Sequence, residues 1–111
     1  MNEPLRVKEV LKSIDTLADK EILVQGVLSF AFEDVALYAS LEDLQRARFE
    51  SSIWLSVGSG SLRFDEEVCE KLHGKPVVIE GTLFAPIPNV RGCGHFGLWP
   101  AEILARTLKA A

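Results

Sequence analysis

The run Gly92-Cys93-Gly94-His95-Phe96-Gly97 holds the residue types best suited to chemistry. A thiol and an imidazole two residues apart are the ingredients of a nucleophilic pair. Alternate residues on a strand share a side without having to face each other, and no third group is placed to orient the imidazole. A tight turn entering a strand, with glycines that let backbone approach closely, is the simpler expectation. Cys69 and His73 lie four apart on a helical pattern, and with Cys93 and His95 they would supply four metal ligands. Their spacing matches no zinc knuckle and they sit in unlike segments, so no metal is expected. His73 is expected near a helix C-terminus, where it meets the dipole. His95 is expected at a strand edge with a backbone partner. Gly58-Ser59-Gly60-Ser61 lacks the lysine and following helix of a phosphate loop, and Ser59 is not in a nucleophile elbow. No catalytic residue and no cofactor are assigned.

Binding chemistry has more material. Aromatic rings interleaved with arginines can stack bases or sugars. The candidates are Phe30, Tyr38, Trp54, Phe84, Phe96 and Trp99, with Arg46, Arg48, Arg63 and Arg91. Trp54 is the best exposed ring, because it alternates against Ile53 and Leu55. The others serve a core equally well. The expected ligand-binding set is Tyr38, Arg46, Arg48, Trp54, Arg91 and His95. Sixteen acidic against twelve basic residues leave a net charge of −4, which repels phosphate and disfavours nucleic acid. The carboxylates Glu33, Asp34, Glu42, Asp43, Glu66, Glu67, Glu80 and Glu102 read as turn or surface groups. Glu80 stands inside an apolar strand. It either alternates outward or, if buried, needs Arg63, Arg91 or Lys75.

Two helices and five strands position these groups. An N-terminal helix is expected to be capped by Asn2, with Pro4 in its first turn and Leu5, Val7, Val10, Leu11 and Ile14 as its apolar stripe. A first strand follows over 22–30, with Ile22, Val24, Gly26, Leu28 and Phe30 on one face. Gly26 suggests a bulge or bend. A turn at Glu33-Asp34 leads into a second strand over 35–40, making a hairpin. Residues 41–51 are a long loop or one or two helical turns. A third strand spans 52–57. Asp65 caps a second helix running to about His73, with Val68, Cys69 and Leu72 buried and Gly74 as its stop. A fourth strand spans 77–84, where Gly81 marks a second bend. A loop at 86–92 precedes a last strand over 95–106, broken by Pro100.

Three strands, a helix and two strands is the order of the OB fold, a five-stranded Greek-key barrel. Mid-strand glycines suit its sharply coiled strands. The segments Ile22-Leu23-Val24-Gln25-Gly26-Val27-Leu28, Gly74-Lys75-Pro76-Val77-Val78-Ile79-Glu80-Gly81-Thr82 and Gly94-His95-Phe96-Gly97-Leu98 resemble small bacterial OB-fold-like proteins of undefined role. The resemblance implies a fold and a binding surface, and carries over no catalytic residue. An α+β sandwich, with a helix on an antiparallel sheet, would use the same segments.

At 111 residues, with 48% hydrophobic and 25% charged, the chain suits a single domain with a real core. It shows no repeat, no signal-like start and no membrane-length apolar run, so a cytoplasmic protein with reduced thiols is expected. The expected function is a non-catalytic interaction module. It would bind a protein or peptide partner through one face and the loops at 41–51 and 86–94. The alternatives are a single-stranded nucleic-acid or oligosaccharide binder, and a small enzyme using Cys93 and His95.

Overall fold

The structure is a computed structural model, and it describes residues 3–31, 34–56, 66–86 and 99–111. The expected helix cap Asn2, the 58–61 run, the cap Asp65 and the 92–97 run lie outside these residues. The N-terminal segment is not one helix. Leu5–Arg6 forms a short strand, β1, parallel to the next strand at Val24 and Gln25. The Arg6 N–H donates to Glu9 Oε1 at 3.0 Å, so the helix α1 starts late and spans Val7–Lys12. Ser13 leaves helical geometry (φ −110°, ψ 27°), and a second short helix, α2, covers Ile14–Leu17. Val7 and Val10 from α1 enter the core.

Strand β2 (Glu21–Ala31) is the longest, and its alternation puts Ile22, Val24 and Leu28 inside. It pairs antiparallel with β5 (Pro76–Phe84) over Glu21–Val27, then with β3 (Asp34–Tyr38) over Val27–Ala31. Val27 pairs with both Tyr38 and Pro76, so the strand changes partners beside Gly26. Gly26 is no bulge, because the register runs through it. A Cβ there would lie 2.7 Å from Leu37 Cγ and from the Tyr38 oxygen, and 2.8 Å from Val7 Cγ2. Only a hydrogen fits where α1 and β3 close on the strand.

Residues 41–51 fold as helix α3 (Leu41–Gln45) and a 3₁₀ turn (Phe49–Ser51) before strand β4 (Ser52–Ser56). Helix α4 (Glu66–Leu72) follows, and Gly74, at φ 79°, stops it in the left-handed region. Cys69 is buried on α4. Val68 is 42% exposed, contrary to the apolar pattern that placed it inside. The last strand, β6 (Glu102–Ala110), begins after Pro100 and runs further than expected. Opposite Glu80 and Gly81 its register slips by one residue: Glu80 pairs Thr107, and Gly81 pairs Ala105. Arg106 is the extra residue of this bulge. Gly81 permits it, since a Cβ there would sit 2.2 Å from the Leu104 carbonyl oxygen.

The pairings β2–β3, β3–β4, β4–β6, β6–β5 and β5–β2 make a ring of hydrogen bonds, with β1 attached outside it. Only β4–β6 within the ring is parallel. An open sheet with a helix on one face, the alternative expectation, would leave two edges where β2 and β5 here pair. The described residues contain four helices rather than two. The ring interior holds Val24, Leu28, Leu37, Ile53, Leu55, Ile79, Leu83 and Ile103.

Candidate ligand-binding face

Strands β3 and β4 are apolar on both sides. Leu37, Ile53 and Leu55 point into the ring, so alternation sends Ala36, Tyr38 and Trp54 outward. Ala36 is paired with Trp54 and Tyr38 with Ser52. A second apolar cluster forms on this outer face. Ala36, Tyr38 and Trp99 are its buried centre, and Leu44, Phe49 and Trp54 pack against it half-buried. Trp99 stands just ahead of β6 and is tied down locally by the Trp54 N–H, which donates to the Ala101 carbonyl at 3.0 Å. The Trp54 and Trp99 ring centroids are 4.6 Å apart at 55°, and Phe49 meets Trp99 edge-on at 5.0 Å. These are favourable aromatic geometries.

Helix α3 and the 3₁₀ turn form the border of this cluster, and a polar clip fixes them. Ser40 caps α3 by accepting from the Asp43 N–H at 3.1 Å. The Ser40 hydroxyl donates to Asp43 Oδ2 at 3.0 Å, and Arg48 Nη1 donates to Oδ1 at 3.1 Å. Asp43 is therefore buried (4% exposed), where the sequence suggested a surface carboxylate. Ala47, between helix and turn, takes φ 51°, a conformation costly for any residue with a Cβ.

The sequence-derived set separates accordingly. Tyr38 is fully buried, a centre of the cluster rather than an open platform. Trp54 is half-buried at its margin. Arg48 is engaged by Asp43, and Arg46 is exposed with Glu42 at 3.4 Å. Arg91 and His95 lie outside the described residues, as do Cys93, Arg63 and Phe96. Phe49 was missed, because residues 41–51 carry no clear period and a lone phenylalanine there gives no signal of which element it covers.

Away from this face, Glu80 is half-exposed. It pairs with Arg106 at 3.0 Å, which also contacts Glu21; Arg63 and Arg91, two of the partners considered for a buried Glu80, lie outside the described residues. The hydrogen bond to Glu80 is the main cause holding the Arg106 guanidinium above its ordinary pKa, aided by the charge of Glu21. His73 lies just past α4, and its Nδ1 accepts the Phe30 N–H at 2.9 Å. It therefore joins the end of α4 to β2. Among the described residues no three His, Cys, Asp or Glu side chains gather as metal ligands, and no helix is long and apolar enough to cross a membrane.

No family model matches the chain, and no curated protein matches it in sequence.

Proposed function

We propose that this chain is an OB-type barrel acting as a non-catalytic interaction module, which holds a protein or peptide partner against the outer face of β3 and β4. The barrel reading is supported by the ring of five strands with α4 between its third and fourth members. The likeness to small bacterial OB-fold-like proteins of undefined role belongs with it. One observation carries the choice of partner. On this face Trp54 offers a half-buried ring on a firm aromatic base, while Arg48, the nearest described arginine in sequence, is already held by the buried Asp43. A phosphate backbone needs cations that can exchange their partners cheaply, and the net charge of −4 opposes its approach. A peptide needs apolar contact and a few hydrogen bonds, and aromatic rings with arginine are the common furniture of such interfaces.

A pull-down from native lysate with the tagged protein, eluted in a salt gradient and assayed for both protein and nucleic acid, tests this. A defined protein partner that persists at moderate salt and is lost with Trp54→Ala is expected. Nucleic acid eluting early and steeply with salt would replace this reading with the single-strand one. An empty column would count against both.

A further inference from the structure

Trp99 is 2% exposed, and its indole Nε1–H is buried with no hydrogen-bond acceptor among the described residues. A buried tryptophan normally satisfies this donor, and a native structure seldom leaves one unmade. The orphan belongs to the ring at the centre of the outer cluster, 4.6 Å from the half-buried Trp54. An unmet donor and a part-open ring are thus adjacent. Together they match one ligand group: a carbonyl oxygen flanked by an apolar surface.

We infer that Trp99 Nε1–H is the hydrogen-bond donor of a subsite for a peptide-bond carbonyl, with Trp54 as the apolar wall beside it. This deepens the proposed function and rests on it. The chemistry favours an amide over a sugar or a base. A single donor among rings suits one strong acceptor next to carbon, whereas a sugar or a base edge asks for several polar partners. The N–H is covered, so the bound carbonyl must displace part of its cover. Phe49, whose ring centroid lies 5.0 Å from that of Trp99 and which stands on a 3₁₀ turn of three residues, is the ring neighbour that would move. Supplying an acceptor recovers the free energy that the unmade bond forfeits.

The chain has two tryptophans, so a ¹⁵N-labelled sample gives two indole signals, assignable with Trp54→Phe and Trp99→Phe. The probe is N-methylacetamide, the smallest peptide-group mimic, titrated into the full chain. A saturable downfield shift of the Trp99 indole proton is expected, with Trp54→Ala weakening apparent affinity. Trp99→Phe keeps a ring and removes the donor, and should weaken binding of the probe, followed through backbone amides of β4, roughly tenfold. Should either variant unfold, the wild-type titration decides alone. Three results overturn the inference: a shift linear in probe and equal for both tryptophans, a long-lived water contact at the Trp99 indole, or an upfield, unmoved proton lying over the Phe49 ring. A partner captured from lysate by wild type and Trp99→Phe alike, with the Trp99 signal silent, removes the subsite and leaves the proposed function standing.

Discussion

A single hydrogen at Gly26 decides whether α1, β2 and β3 can meet. The space a methyl group would need is already filled by Leu37, Val7 and the Tyr38 carbonyl, all under 3 Å from it. Two of those atoms belong to buried branched aliphatic side chains and one is backbone, so none can yield cheaply. Gly26→Ala is expected to destabilise the fold by about 1–3 kcal/mol, measured as a lowered urea midpoint at unchanged slope. An unchanged midpoint would mean that α1 can swing away from β2 freely. Asp43 makes the converse point. Its carboxylate is buried because Ser40 and Arg48 donate to it, and the sequence around it carries only the general look of a charged loop.

Among the elements, the 41–51 segment is the least regular and the closest to the proposed site. Helix α3 ends at Gln45, Ala47 turns left-handed, and the 3₁₀ turn then delivers Phe49 to Trp99. Helix stops of this kind usually use glycine, since a Cβ in the left-handed region is strained. Ala47→Gly should therefore raise stability by up to about 1 kcal/mol, seen as a higher Tm. The near-ultraviolet dichroism of the tryptophans should stay as in wild type. A lower Tm would show that flexibility gained by the unfolded chain outweighs the relieved strain. The two sides of the β3–β4 ribbon also divide the labour: one closes the ring core, the other carries the aromatic cluster.

Across the whole molecule, closure depends on β2, β5 and β6 staying together, and Arg106 links all three by reaching Glu80 and Glu21 from the bulge. Its pKa is raised, so the favourable charge state is present below the ordinary guanidinium value. Its contribution would be lost only as pH rises through the still higher folded value. No loss from this group is expected near neutrality. Salt is the accessible lever, because these side chains are half-exposed and screening acts on them. Arg106→Gln should lower the urea midpoint at low ionic strength, and the gap to wild type should narrow in 1 M salt, where the Debye length is about 3 Å against about 30 Å at 0.01 M. A gap independent of salt would make the packing of the Arg106 stem, not its charge, the source.

Periodicity alone was enough for much of this chain. Alternating aliphatics located β2 and β4 and their inward faces, the aliphatic run over 77–84 located β5, Gly74 marked the end of α4, and Gly26 and Gly81 were legible as special points within strands. Such features are local, since a strand's two faces and a glycine's missing Cβ are properties of neighbouring residues. Other features depend on residues far apart in the chain. The partner of Glu80 was set by a register slip on β6, and the burial of Tyr38 by Trp99 and the 41–51 segment arriving over it. The short β1 in place of a longer helix depended on β2 offering an edge at Val24 and Gln25. Sequence therefore determined which residues alternate and where the backbone must be free. Tertiary packing decided which outward faces are covered, because coverage is a contact between distant segments that no local pattern encodes.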